Sequence, residues 1–329
     1  MDRATFLKSL AALAAAGALP GAWAQPGANL KILIPASPGG GWDATGRALG
    51  QAMIDAKQAA TVTYENKGGG AGVLGMGPFI ARDKGDATQL MVMGAVMLGG
   101  LIGSRWPINL MQGTPLMRLT TEYNVFVLPP NSPFKTLGDV IAQFKKDPES
   151  VQWGGGSAGS PEHIAAAMIA SAVGVNPARV NYLASAGGGE AATAVLEAKV
   201  TIGGSGTSEF NEFIRSGRMK PVAVTSAERL AWNKDVPTLK EQGIDVEISN
   251  WRGLFGKADL APAQRKALTD ALIATTQSPA WQAALEKNGW TPAVLAGDEF
   301  TKFVESEFER LRNVMERAGM VVVPIGWQT

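Results

Sequence analysis

Leu30-Lys31-Ile32-Leu33-Ile34-Pro35 runs directly into Ala36-Ser37-Pro38-Gly39-Gly40-Gly41-Trp42-Asp43. The first six residues read as a strand, because a short apolar run bounded by proline and glycine fits a strand covered on both faces. A helix is expected from about Asp43 to Asp55, with the glycine loop between. Glycine has no Cβ, so the backbone comes close to a bound group and aims N–H donors at it. At a helix N-terminus the first-turn N–H groups are unpaired and the dipole is positive, so such a loop suits an anion.

Working outward, the unit recurs. Thr61–Glu65 is a second strand, and Lys67-Gly68-Gly69-Gly70-Ala71-Gly72 opens a helix toward Arg82. Gln89–Gly94 is a third strand. The rhythm then resets at Val125–Leu128, with a helix over Leu137–Lys146. Val151–Trp153 leads into a third loop, Gly154-Gly155-Gly156-Ser157-Ala158-Gly159-Ser160, and a helix over Pro161–Val173. Strands are expected at Arg179–Leu183, Val200–Ile202, Pro221–Val224 and Val246–Ile248. Helices are expected at 262–277, 279–287 and 298–318. Alternating strands and helices imply an α/β protein with parallel or mixed sheets. The expected organisation is two lobes: residues 25–124 with 228–329, and residues 125–227. The chain would cross between them near Tyr123–Val125 and Val224–Ala227. Ligands of open α/β sheets bind beyond the carboxyl ends of strands, where all three loops fall.

Residues 1–24 read as a cleavable secretory leader. Arg3 and Lys8 precede an Ala/Leu-rich run from Ser9 to Leu19, and Ala22-Trp23-Ala24 precedes Gln25. The apolar run is too short for a bilayer, which needs ~20 residues. Cysteine is absent, which excludes disulfides, thiolate metal sites and a lipid-modified N-terminal cysteine. The expected address is a bacterial periplasm. Removing the leader takes away Arg3, Lys8 and Asp2, which lowers the formal net charge from +1 to 0. A neutral chain argues against nucleic acid and anionic membrane as partners.

Six segments, in order, resemble one family. They are Pro35–Asp43 with Arg47; Glu65–Gly72; Gly156-Ser157-Ala158-Gly159-Ser160-Pro161-Glu162-His163; Pro221–Ser226; Asp235–Gly243; and Trp251-Arg252-Gly253. Together they are similar to the periplasmic receptors of tripartite tricarboxylate transporters, the Bug-type binding proteins, and most like the tricarboxylate-receptor branch. The resemblance implies a two-lobed periplasmic binding fold of type II-like form, with a ligand carboxylate held in the cleft by loop amides, hydroxyls and bridging waters. It implies no cofactor and no metal. The partners would be a small organic carboxylate and cognate inner-membrane subunits, met by a monomer. Carried over by position, the ligand residues would be Ser37, Gly40, Gly41, Trp42, Asp43, Gly70, Ala71, Ser157, Ala158, Ser160 and His163. Gly94, Ala95, Gly206 and Thr207 are added from neighbouring strand ends. The stretch Tyr182–Glu190 departs from the family's pattern by lacking a lysine, which puts any contact from it in question.

Competing motifs fare worse. Gly70-Ala71-Gly72-Val73-Leu74-Gly75 fits a dinucleotide fingerprint, but residues 87–100 hold no acid for the ribose. Gly155-Gly156-Ser157-Ala158-Gly159 fits a nucleophile elbow, yet the one histidine, His163, is six residues beyond Ser157 in the same segment. A periplasmic hydrolase using Ser157 is therefore disfavoured. A ligand sensor feeding a membrane kinase would share the fold, and the residues leave that alternative open. Arg47, four residues after Asp43, reads as its ion-pair partner, and Asp43 itself as a candidate cap of the first helix. Arg252 is the candidate cationic contact, with solvent exposure the alternative. Met91–Leu101 reads as core.

Overall fold

The computed structural model describes residues 27–104 and 109–321; the leader expected over residues 1–24 lies outside the described residues. The opening stretch forms β1 (Asn29–Ile34) and α1 (Gly41–Asp55), followed by β2 (Thr61–Asn66), α2 (Val73–Ala81) and β3 (Gln89–Gly94). Met91–Leu101 is buried except for Val96, and its second half belongs to α3 (Ala95–Ser104). Then come β4 (Thr114–Thr121), β5 (Asn124–Leu128) and α4 (Leu137–Lys146). Helix α4 starts on a reciprocal cap: the Thr136 hydroxyl accepts from the Asp139 N–H, and the Asp139 carboxylate accepts from the Thr136 N–H. Next are β6 (Gln152–Gly155), α5 (Pro161–Ala172), β7 (Asn181–Ala184), α6 (Gly188–Leu196), β8 (Ile202–Gly206), α7 (Thr207–Arg215) and β9 (Lys220–Val224). The chain ends with β10 (Arg252–Gly256), α8 (Pro262–Thr276), α9 (Pro279–Asn288), β11 (Thr291–Ala296) and α10 (Gly297–Arg317).

Two mixed sheets result. Their strand orders are β11-β4-β10-β3-β1-β2 and β7-β6-β8-β5-β9. Each is built on a parallel trio, β2-β1-β3 in one and β7-β6-β8 in the other. Each trio is extended by an antiparallel strand, β10 beside β3 and β5 beside β8. That added strand is in both cases the first to arrive after the chain leaves the other sheet. The same plan therefore serves both lobes without any repeat in the sequence.

The passages between the sheets lie side by side. The Glu122 N–H donates to the Asn250 carbonyl at 3.2 Å, and the Asn250 N–H returns to the Glu122 carbonyl at 2.7 Å. Tyr123 bridges Ser249 in antiparallel fashion. Two expectations need correction here. Val246–Ile248 forms no ladder, since the Val246 N–H turns back to the Ile244 carbonyl, and the strand is Arg252–Gly256 instead. Nor does the chain return to the first sheet near Val224–Ala227. Val224 bridges Thr238, and the Leu239 N–H donates to the Val224 carbonyl, so this segment extends the second sheet until Ser249–Asn250.

Contact between the lobes is close where α3 faces the third glycine loop. A Cβ on Gly99 would overlap the Gly159 carbonyl oxygen, and one on Gly159 would sit 2.8 Å from the Gly99 carbonyl oxygen. Gly159 also has φ +79°, a conformation that disfavours a side chain. Helix α5 packs against α3 and α10 on the same side.

Candidate functional site

Glycine loops of both sheets wall a single cavity of about 540 Å³. From the first lobe come Pro35–Trp42, Gly68–Gly72 and Val96; from the second come Gly156, Ser157, Ser160, Glu162, Ala186–Glu190, Ser205 and Glu209; Asn250 and Arg252 stand at the return crossing.

The first loop is tied down from behind by Asp43, the third residue of α1. Gly40, not Asp43, is the N-cap residue. The Asp43 carboxylate accepts from the Gly39 N–H at 2.9 Å, from Arg47 Nε at 3.0 Å to both oxygens, and from Asn66 Nδ2 at 2.9 Å. The expected Asp43–Arg47 pair is thus present, and Asn66 also donates to the Ala36 carbonyl at 3.1 Å. Burial pushes the Asp43 pKa up, but the hydrogen bonds from Arg47, Gly39 and Asn66 outweigh it and hold it below the ordinary carboxylate value. Gly41 is glycine for lack of room, since a Cβ there would lie 2.6 Å from Arg252 Nη2.

The third loop is ordered by its own helix start. The Ser160 N–H donates to the Ser157 carbonyl at 2.9 Å, and the Tyr182 hydroxyl donates to the Gly156 carbonyl at 3.1 Å. His163 Nδ1 accepts from the Gly159 N–H at 3.1 Å, and its ring stacks on Tyr182 at 4.1 Å. Burial lowers the His163 pKa to about 4, so the imidazole is neutral around pH 7. A ring held in this way supports the loop.

Behind the loops lies a cluster of ionisable groups from distant parts of the chain. Arg252, 1 % exposed, forms an ion pair with Glu122, 2 % exposed. Arg252 Nη1 also donates to the Thr45 hydroxyl at 3.3 Å. Glu122 further accepts from the Ser208 N–H at 2.6 Å and the Thr207 hydroxyl at 3.4 Å, which joins the crossing to the start of α7. Glu209 accepts from the Ser205 hydroxyl at 2.6 Å. Burial and the charge of Glu122 raise the Glu209 pKa, opposed by Ser205, Arg252 and the Gly41 N–H. Burial, reinforced by Glu209 and Glu122 and opposed by the nearby Ser160 hydroxyl, pushes the Glu162 pKa up to about 7.

Of the expected site residues, Ser37, Gly40, Gly41, Trp42, Gly70, Ala71, Ser157 and Ser160 border the cavity together. Asp43, Gly94, Ala95, Ala158, His163, Gly206 and Thr207 do not. Asp43 and His163 brace loops from behind. The Ala95 N–H is bonded to the Trp251 carbonyl at 3.2 Å, and a Cβ on Gly94 would collide with that same oxygen. Gly206 and Thr207 are packed on Glu122. Arg252 is buried rather than solvent-exposed. The departing stretch contributes Ala186–Glu190 to the wall after all. The motif reading misses Glu162, Glu209 and Asn250 as cavity groups. Glu162 stood inside the quoted third-loop motif, where a carboxylate one residue into a helix was the available signal.

Two α/β lobes, each presenting glycine loops to a shared cleft, define a two-lobed solute-binding protein. The chain matches the tripartite tricarboxylate transporter family receptor model over residues 47–320, and it belongs to that family. BugT of Bordetella pertussis is 24% identical over 299 residues, which cover 89% of this chain and 90% of BugT. MatC from Rhodopseudomonas palustris, solved with bound malate, superposes with a TM-score of 0.76 at 19% identity, covering 88% of this chain and 99% of MatC. A second R. palustris protein, solved with adipate, gives a TM-score of 0.81 at 18% identity, covering 89% of this chain and 98% of its own. Receptors of this family are periplasmic, solute-binding proteins rather than enzymes.

Proposed function

We propose that this protein captures a small organic acid in the periplasm and hands it to the membrane components of a tripartite transporter, without catalysis and as a monomer. Residues 1–24 would direct export, and the mature chain would begin at Gln25. Residues 27–122 and 250–321 would form one lobe and 124–248 the other, closing on the ligand between them. The observation that carries this reading is the cleft wall, in which glycine and serine loops from both sheets border one cavity. Converging backbone N–H and hydroxyl donors can satisfy a desolvated carboxylate without a dedicated cation. Malate and adipate, with which the R. palustris proteins were solved, are both carboxylates, which supports a carboxylate ligand here. Calorimetry on the mature protein tests it, with organic acids set against their neutral amides. The acids should bind at least tenfold more tightly; amides that bind equally well overturn the carboxylate grip.

A further inference from the structure

Carboxylates gather at the base of the cleft. Glu162 of α5 and Glu209 of α7 both border the cavity, the first buried and the second partly open to it, and buried Glu122 stands behind them. Glu162 is faced by the Ser160 hydroxyl, by Tyr182 from β7, and by Glu209 and Glu122. Gly155 of β6 and Gly204 of β8 bring only backbone to it. Glu209 is faced by the Ser205 hydroxyl, by Gly188 of α6, by Glu122 and by Arg252 from β10. Glu190 borders the cavity from α6, where its carboxylate accepts from the Ala186 N–H at 2.9 Å. Among the described residues Arg252 is the one cationic side chain on the cavity, and Glu122 already matches its charge.

An anion in this cavity adds negative charge beside Glu162 and Glu209, with no unmatched cation to offset it. Like charges in a partly desolvated site repel more strongly than in water. Carboxylates that share such a site relieve the repulsion when one of them takes a proton. A protonated glutamate is also a hydroxyl donor, so it can face an anion that its ionised form would repel.

We propose that the ligand enters with a proton: a carboxylate bound in the cleft draws one from solvent onto the Glu162–Glu209 pair and returns it to solvent on leaving. This rests on the carboxylate reading above and adds to it a control by pH, with tight binding on the acid side and release as pH rises. Burial and the neighbouring carboxylates already push the Glu162 pKa up to about 7, and a bound anion raises it further. Affinity is therefore full below the ligand-free value and falls as pH climbs from that value toward the bound one. His163, stacked on Tyr182, is neutral over this range and does not supply the proton site.

Calorimetry on the mature protein tests this with succinate, malate, adipate and benzoate between about pH 6.5 and about pH 8.5, where carboxylates free in solution are ionised. An acid that binds should do so about tenfold more weakly at the upper end than at the lower. At about pH 7.5 its binding heat should differ between HEPES and Tris, by an amount equal to about half a proton to one proton taken up per molecule bound. Both measurements need only wild-type protein. Glu162→Gln or Glu209→Gln should reduce the fall in affinity to about twofold or less. Equal affinity across the range, with equal heats in the two buffers, overturns the proton linkage and leaves the carboxylate receptor standing. A fall of wild-type size in both variants overturns the assignment to these glutamates. Binding by none of the acids, in a protein with a normal melting curve, overturns the carboxylate reading and the linkage with it.

Discussion

Replacing Glu162 with glutamine should change how stability responds to pH. Folded Glu162 holds its proton up to about pH 7, against 4.5 for a free glutamate. Below that lower value the group is protonated in both states and costs nothing. As pH rises toward the folded value, the unfolded chain ionises first, and stability falls until Glu162 ionises in place. A gap of about 2.5 between the two values, at ~1.4 kcal/mol for each, amounts to about 3 kcal/mol lost between about pH 4.5 and about pH 8. Glutamine keeps the shape and cannot ionise, so the variant should not lose this amount. His163, the next residue, has the opposite sign. Its pKa falls from 6.5 to about 4 on folding, so its contribution is complete above the unfolded value and is lost as the pH drops toward 4. The neighbours therefore oppose each other over much of one range, and the wild-type profile should be flatter than either alone. Urea unfolding of the ligand-free mature protein across that range, in constant salt, is the assay. The stability of Glu162→Gln relative to wild type should grow by about 3 kcal/mol from the acid to the alkaline end. His163→Asn, which keeps an acceptor for Gly159, should lose the acid-side decline. A constant difference between Glu162→Gln and wild type at every pH would refute the argument.

Other perturbations probe the frame around the cleft. Asp43→Ala removes the acceptor shared by Gly39, Arg47 and Asn66; it should cost about 2 kcal/mol in chemical unfolding and loosen the first loop, and an unchanged midpoint would count against its bracing role. Glu122→Gln leaves Arg252 buried without a counter-charge and should destabilise by about 3–5 kcal/mol, with part recovered in a double variant that adds Arg252→Met; a double variant no more stable than the single would contradict the pairing. Gly99→Ala places a methyl against the Gly159 carbonyl between the lobes. Solution scattering with saturating ligand should then give a larger radius of gyration than wild type together with weaker binding, and an unaltered radius would show that this contact does not limit closure.

The strand-loop-helix units were legible because their signals are local. Ile32 and Ile34 are fully buried beside a loop whose glycines could be read directly from the sequence. Elements without a local period were harder. Helix α3 is apolar nearly all round, so Ala95–Ser104 shows no polar face to mark a helical repeat. Strand β11 contains Pro292 and has an exposed first end, which weakens a strand pattern; its edge position accommodates the proline. Val246–Ile248 alternates like a strand but finds no partner strand. The buried acidic cluster was the least legible part. Glu122, Glu162 and Glu209 lie far apart in the chain, and only the fold that joins β4, α5, α7 and β10 brings them to one place. Arg252 shows the same limit: a sequence gives its charge, whereas its burial depends on Glu122, 130 residues away.

The paired crossings have a mechanical consequence. Two independent tethers would let the lobes splay, slide and rotate separately. Here the backbones of Glu122 and Asn250 are bonded to each other in both directions, with Tyr123 and Ser249 bridged beside them. A ribbon of this kind resists stretching and shear because either motion breaks hydrogen bonds, while twist and bend spread over several soft backbone dihedrals. Such a ribbon leaves twist and bend as the soft relative movements of the lobes. A membrane partner that touched both lobes would then meet shapes that differ in angle rather than in separation.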